Sequence, residues 1–211
     1  MMIIIIYVAL FALMGATART KYYPITKTLS SLGFLGTALY GAITCQHMNL
    51  FYLMLPGLIG FAVGDFLLAM RQDKLLLYGI IAFAIGDAGF LFFFSQFHGI
   101  TPMELIPPVV VMIIMSVIAQ RDDMDFKNLI KPLFAYAFIM SWATSKAIML
   151  AFLFPTTMFL LLAIGFGLYF ISDLVLLFVK FSMHRFHIMG GINLVLYYTG
   201  LFLIAYSLFF A

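Results

Sequence analysis

Long apolar runs follow one another along this chain, and short stretches that contain polar or charged residues separate them. A helix needs about 20 apolar residues to cross the hydrocarbon core of a bilayer. The runs are continuous rather than alternating in polarity, which favours helices over the strands of a β-barrel. We therefore predict an all-α polytopic membrane protein that forms one domain over residues 1–211. The eight predicted transmembrane helices are 2–18, 24–44, 50–70, 75–97, 104–119, 131–153, 157–179 and 188–210.

The composition agrees with a membrane location and excludes several other classes of protein. Hydrophobic residues make up 65% of the chain and charged residues 9%, against roughly 45–50% and 25% in soluble domains. This excludes a soluble enzyme, a disordered chain and a nucleic-acid-binding domain. Eight helices leave no room for a soluble catalytic domain, so any chemistry must take place at or within the bilayer.

The basic residues predict how the bundle is oriented. They fall in alternate connections, between helices 1 and 2, 3 and 4, 5 and 6, and 7 and 8. The positive-inside rule then places these four connections in the cytoplasm and both termini on the outer side. We expect a bacterial inner membrane, and we interpret the first segment as a helix because no basic residue precedes it as in a signal peptide. The basic residues concerned are Arg19, Lys21, Arg71, Lys74, Arg121, Lys127, Lys131, Lys180 and Arg185.

Five ionisable residues lie within or beside the apolar runs, namely Lys27, Asp65, Asp87, Lys146 and Asp173. A charge in the bilayer costs several kcal/mol by insertion scales, so such residues are candidates for function. Three of them, Lys27, Asp65 and Asp173, are predicted to share one layer in the inner half of the membrane. Asp87 lies near the middle of its helix, where it could orient Lys27, Tyr197 or water. For Lys146, in the outer half, we favour a structural or snorkelling role.

Other polar and small residues are concentrated on particular faces of helices 2, 3, 7 and 8. Ser30 and Ser31 lie one turn from Lys27, and Tyr169 lies one turn from Asp173. Helix 3 carries a strip of glycines that would allow close packing. These faces could line one cavity if the four helices are neighbours. The relevant positions on helices 3 and 8 are Gly57, Gly60, Gly64, Gly190, Asn193, Tyr197 and Gly200.

A weak internal repeat relates the two halves of the chain. The segment 63–68 around Asp65 is similar to the segment 171–176 around Asp173, and four helices separate them. A parallel four-plus-four repeat would place the two aspartates in equivalent positions about an axis along the membrane normal. Chance similarity between apolar helices is an equally good explanation.

Two carboxylates that face one partly dry cavity could perform general acid/base hydrolysis, with one protonated donor and one ionised acceptor. The same arrangement would suit a proton-coupled transporter. His184 and His187 have a spacing that can hold a metal, but they lack an obvious third ligand. We therefore expect this histidine pair to lie at the membrane–water interface without a metal. We also expect no cofactor in the protein.

Several of these residues, taken in order, resemble the YhhN/TMEM86 family of lysoplasmalogenases. The resemblance rests on Lys27 at the start of helix 2, Gly64-Asp65 in helix 3, Ser172-Asp173 in helix 7 and Tyr197-Tyr198 in helix 8, and on the helix 6 segment 136–143. Helix 4 of the family has Gly-His where this chain has Gly86-Asp87, and helix 8 has Ala-Gln where this chain has Thr199-Gly200.

The resemblance implies a membrane hydrolase that cleaves the vinyl ether bond of a lysophospholipid and releases a fatty aldehyde. The partners would then be the lysolipid substrate and membrane lipids. Asp65 and Asp173 are the expected catalytic pair. A family member that binds a lysolipid without turnover, and a transporter, remain as alternatives. The expected supporting residues are Lys27, Asp87, Ser172, Tyr169, Asn193, Tyr197 and Tyr198.

Overall fold

The computed structural model describes residues 2–184 and 188–211, and every regular element in these two ranges is a helix. The eight α-helices are α1 (Met2–Thr17), α2 (Tyr23–Thr44), α3 (Met48–Ala69), α4 (Asp73–Ser95), α5 (Ile106–Ile118), α6 (Ile130–Leu153), α7 (Thr157–Phe181) and α8 (Met189–Tyr206). Short 3-10 helices cover Pro102–Leu105, Lys127–Leu129 and Ser207–Phe209. The prediction of an all-α fold is confirmed for the described residues, and each predicted segment overlaps one α-helix, with ends that differ by at most four residues.

Five helical segments of the described chain are long and apolar enough to cross a membrane. They are Met48–Ala69, Lys74–Ser95, Ile130–Leu153, Thr157–Phe181 and Met189–Phe209. The segments Met2–Thr17 and Pro102–Ile118 are apolar but shorter. Helix α2 is long enough at 22 residues, but its buried face is rich in hydroxyl groups and includes Lys27. The eight-span topology therefore stays a prediction.

Six of the helices form a closed ring. Along it α2 contacts α3, α3 contacts α4, α4 contacts α6, α6 contacts α7, α7 contacts α8, and α8 returns to α2. Outside this ring, α1 packs on α2 and α5 packs on α6. The ring thus surrounds a common interior. In it α7, α8, α2 and α3 follow one another, so the four helices with polar faces are neighbours and can line one cavity.

Glycines allow the two closest helix pairs to form. A Cβ atom at Gly60 of α3 would lie 2.5 Å from the Cα of Gly86 on α4. A Cβ atom at Gly200 of α8 would lie 2.7 Å from the carbonyl oxygen of Gly165 on α7. Since real Cβ atoms do not approach other atoms so closely, only glycine permits these backbone contacts. The predicted glycine strip of α3 is therefore a packing surface for α4.

Aromatic side chains fill the ring interior away from the basic connections. Phe61, Phe90 and Phe166 are fully buried. The ring centroids of Phe61 and Phe90 are 5.3 Å apart, and those of Phe90 and Phe166 are 5.1 Å apart. Tyr169 packs on Phe61 from the side of the basic connections, with the ring centroids 5.0 Å apart. These aromatic side chains fill the interior on the side away from the basic connections, and the polar residues described next lie on the other side.

Candidate active site

A polar cavity opens at the end of the ring where α2 and α8 begin and α3 and α7 end. It contains about 840 Å³ of empty space, part of which is open at the mouth. Basic side chains lie near the mouth, and the carboxylates lie one to two turns deeper. The lining includes Tyr23, Lys27, Asp65, Arg71, Phe83, Asp173, Lys180, Gly190, Asn193 and Tyr197.

Lys27 and Asp65 form a buried ion pair across α2 and α3. The Nζ atom of Lys27 lies 3.0 Å from Oδ1 of Asp65. The other carboxylate oxygen, Oδ2, accepts a hydrogen bond of 2.7 Å from Ser31 and one of 3.3 Å from Tyr198. The lysine side chain is 9% exposed and the aspartate 1%. A buried charge requires this degree of compensation, because an unpaired carboxylate in a dry interior loses its hydration without replacement.

Asp173 lines the same cavity but has different partners. Its Oδ2 atom accepts a hydrogen bond from the hydroxyl of Tyr136 on α6. That hydroxyl also lies 2.7 Å from the hydroxyl of Tyr169, which in turn lies 3.2 Å from Oδ2 of the fully buried Asp87. Four side chains from α4, α6 and α7 thus form one chain of hydrogen bonds from the cavity into the ring interior. Asp87, which was expected to orient Lys27, Tyr197 or water, thus has its side-chain hydrogen bond with Tyr169, and a role towards water stays a prediction.

The two adjacent tyrosines of α8 have distinct positions. Tyr198 points towards α2 and bonds to Asp65. Tyr197 lines the cavity, and its buried hydroxyl has no hydrogen-bond partner among the described residues. Its ring packs edge-on against Phe83, with the centroids 6.1 Å apart. Tyr197 therefore lines the cavity with its ring and keeps a buried hydroxyl that has no protein partner among the described residues.

Ser172 and Asn193 join α7 to α8. The side-chain amide of Asn193 donates to both the carbonyl and the hydroxyl oxygen of Ser172, at 2.8 Å in each case. Ser172 donates back to the carbonyl of Asn193 at 3.2 Å. Asn193 also lines the cavity, whereas Ser172 is buried in the helix contact. The role of Ser172 is thus to hold α7 and its neighbouring Asp173 against α8.

An apolar pocket adjoins the cavity between α4, α5, α6 and α7. The empty space in and around it, its open side included, is about 650 Å³. Hydrophobic side chains dominate its lining, among them Leu76, Ile80, Met115, Leu133, Met140 and Leu177. The two spaces share Leu68, Phe83, Asp173, Leu176 and Lys180 as lining residues. Asp173 therefore lies where a charged compartment meets an apolar one.

Lys146 belongs to a separate buried pair near the other end of the ring. Its Nζ atom lies 2.8 Å from Oε2 of Glu104 and also bonds to the carbonyl of Gly99. Lys146 is 1% exposed and Glu104 2% exposed. The structural role expected for Lys146 agrees with this contact, but the snorkelling alternative is wrong, because the ammonium group is paired inside the protein.

The basic connection between α5 and α6 carries a solvated ion pair. The guanidinium of Arg121 lies 2.8 Å from the carboxylate of Asp123, and this hydrogen bond lowers the pKa of Asp123.

No group of three or more His, Cys, Asp or Glu side chains in the described ranges could hold a metal ion. His187 and Arg185 lie outside the described residues, so the structure does not test the histidine pair.

The fold and the site together define a class of protein. This is an all-helical membrane protein whose helix ring holds paired and hydrogen-bonded carboxylates in a cavity open at one end. The chain belongs to the YhhN family, whose family model matches residues 39–208. No curated protein and no solved structure matches the chain.

Two residues, Tyr136 of the site and Glu104 of the second buried pair, are not evident from the sequence. Tyr136 lies within a segment that resembles the family, and Glu104 is the single glutamate of the chain and opens the fifth predicted helix. A buried lysine needs an anionic partner, and this requirement was the signal that could have identified Glu104.

Proposed function

We propose that this protein hydrolyses the vinyl ether bond of lysoplasmalogens, with Asp173 and Asp65 as the acid and base. The observation that supports the proposal most is the meeting of the charged cavity and the apolar pocket at Asp173. A lysoplasmalogen has the same division, since a charged head group and one aliphatic chain flank the vinyl ether. With the head in the cavity and the chain in the pocket, the reacting bond would lie beside Asp173.

The environments of the two aspartates support different roles. Asp65 is paired with Lys27 and accepts two further hydrogen bonds, so a negative charge on it is well compensated. Asp173 is bonded to a tyrosine hydroxyl and borders the apolar pocket, so a negative charge there has less support than at Asp65. Asp173 is therefore the proposed proton donor, and Asp65 the proposed acceptor for water. Lys27 would keep Asp65 ionised, and Tyr198 would position it.

The proposed reaction is balanced by water alone. Asp173 gives its proton to the vinyl carbon that is not bonded to oxygen, and the ether becomes an oxocarbenium ion. Water attacks the carbon bonded to oxygen, and Asp65 takes one of its protons. The resulting hemiacetal breaks its bond to the glycerol oxygen, which receives the proton from Asp65, and its hydroxyl proton returns to Asp173. The products are a fatty aldehyde and a glycerophospho-ethanolamine or -choline.

The proposed orientation brings the lipid from one side of the membrane. Arg71 and Lys180 lie near the mouth of the cavity, at the end that the positive-inside rule assigns to the cytoplasm. We propose that the substrate comes from this leaflet of a bacterial inner membrane. The proposed chemistry needs no metal and no cofactor.

The test is incubation of the purified protein in detergent with a lysoplasmalogen and, separately, with its saturated-ether analogue. We expect aldehyde from the vinyl ether and none from the saturated ether, because only the former gives a stabilised oxocarbenium ion on protonation. Asp65→Asn and Asp173→Asn should each reduce aldehyde release at least about 100-fold, as for other general acid/base residues.

The other candidate functions give different results in the same assay. Lysolipid binding without aldehyde release would indicate a member of the family that does not turn over its ligand. Flux of an unchanged solute across liposomes, again without aldehyde, would indicate a transporter. Full activity in either asparagine variant would contradict the assignment of the catalytic pair.

A further inference from the structure

The hydrogen-bonded chain of Asp87, Tyr169, Tyr136 and Asp173 contains a fixed number of hydrogens. It has three oxygen–oxygen contacts, Asp87 to Tyr169, Tyr169 to Tyr136, and Tyr136 to Asp173. Each contact needs one hydrogen. The two tyrosine hydroxyls supply two, because each carries one hydrogen. For all three contacts to be hydrogen bonds, the third hydrogen must come from a carboxyl group at one end of the chain, either Asp87 or Asp173.

The environment of Asp87 favours a proton at that end. Asp87 is fully buried, and its Oδ1 atom has no hydrogen-bond partner among the described residues. Among the described residues, only the Tyr169 hydroxyl would stabilise a carboxylate in that position. The neutral acid needs less compensation, since it donates from Oδ2 to Tyr169 and leaves only a carbonyl oxygen without a partner.

The same chain can hold the proton at the other end. The proton of Asp87 passes to Tyr169, that of Tyr169 passes to Tyr136, and that of Tyr136 passes to Asp173. No atom has to move far, and no oxidant, reductant or water is consumed. After the shift Asp173 is protonated at the cavity and Asp87 is ionised, and the reverse shift restores the first arrangement.

We propose that Asp87 and Asp173 share one proton through Tyr169 and Tyr136, and that Asp87 stores the proton that Asp173 donates to the substrate. The role in catalysis rests on the proposed hydrolysis, whereas the sharing of the proton does not. Asp87 does not touch the cavity and is a positioning residue, which acts on the lipid only through Asp173. The store lies beyond the reach of cavity water, behind the rings of the two tyrosines.

The first test is infrared spectroscopy of the purified protein, which reports the C=O stretch of protonated carboxyl groups without turnover. We expect such a band in the wild type. We expect its loss in Asp87→Asn, because an asparagine N–H supplies the third hydrogen of the chain and leaves Asp173 ionised. Glu104→Gln is the matched control, since that buried carboxylate is paired with Lys146, and the band should persist in it. Absence of the band in the wild type, or its persistence in Asp87→Asn, would overturn the proposal.

The second test separates the relay from a local role of Asp87. In Tyr169→Phe the band should remain but shift, because Asp87 keeps its proton and loses its hydrogen-bond partner. Aldehyde release should fall on the order of 100-fold in both Tyr169→Phe and Asp87→Asn, with KM unchanged. Tyr7→Phe is the matched control, since the Tyr7 hydroxyl bonds only to the Tyr198 carbonyl among the described residues, and it should keep wild-type turnover.

The two tests also distinguish failure of the inference from failure of the proposed function. If the wild type releases no aldehyde but its band responds as expected, the hydrolysis is wrong and the shared proton stands. If the wild type is active and Asp87→Asn or Tyr169→Phe is equally active, the storage role is wrong and the hydrolysis stands.

Discussion

Individual buried charges in this protein differ in what surrounds them, and their surroundings suggest their roles. Lys27 and Asp65 pair beside a cavity that also contains Asp173. Lys146 and Glu104 pair at the other end of the ring, where the lysine also holds the carbonyl of Gly99 in the connection before α5. The first pair lines the cavity. The second pair holds the connection before α5 against α6.

Lys146→Met tests the structural role of the second pair. The variant should lose about 3–5 kcal/mol of stability, because it leaves Glu104 buried without its cation. The measurement is thermal or denaturant unfolding of the detergent-solubilised protein. Lys131→Met is the matched control, since Lys131 is exposed at the start of α6, and its change should stay within about 0.5 kcal/mol. Equal stability of the two variants would contradict the structural role.

Some residues of the cavity can be predicted from the sequence because their charges stand out against an apolar background. Lys27, Asp65 and Asp173 are of this kind, and the structure places all three around one cavity, whereas their catalytic roles stay a prediction. Tyr136 could not be identified because tyrosine is common in membrane helices, and only the fold shows which tyrosine faces Asp173. The hydrogen-bond chain from Asp173 to Asp87 could not be predicted from the sequence for the same reason.

Neighbouring helices are held together by glycine contacts as well as by apolar side chains. Gly60→Ala should destabilise the protein by about 1–3 kcal/mol, because its Cβ would lie 2.5 Å from the Gly86 backbone and force α3 and α4 apart. Gly36→Ala is the control on α2, where no atom lies within 4 Å of the added Cβ. It should be neutral or stabilising, and the unfolding midpoint of each variant measures the difference. A Gly60→Ala protein as stable as the control would show that the close contact is not required.

Helix positions can be predicted from the sequence because an apolar run and the polar or charged residues at its ends define a helix directly. The prolines agree with the observed starts, since Pro24 and Pro107 lie in the first turns of α2 and α5, where a missing N–H costs no hydrogen bond. Which helices are neighbours was not predictable from composition. That information depends on the close glycine contacts and on the ring closure between α2 and α8, which join distant parts of the chain.

At the scale of the whole molecule, the helix contacts repeat after four helices. The α1–α2, α2–α3 and α3–α4 contacts correspond to α5–α6, α6–α7 and α7–α8, and α4–α6 corresponds to α8–α2. This pattern relates Asp65 on α3 to Asp173 on α7. The four-plus-four repeat stays a prediction, and duplication would explain why two aspartates from the two halves line one cavity.

The proposed hydrolysis requires that a carboxyl group of this protein protonates a carbon atom of a vinyl ether in the membrane. Its test is turnover of a lysoplasmalogen in D₂O, with immediate borohydride trapping of the aldehyde and mass spectrometry. We expect one deuterium on the carbon next to the former carbonyl, since an exchangeable acid delivers the proton there. A pre-formed aldehyde incubated with the Asp173→Asn protein should stay unlabelled at that carbon. Aldehyde without deuterium at that carbon, or no aldehyde at all, would show that the proposed protonation is wrong.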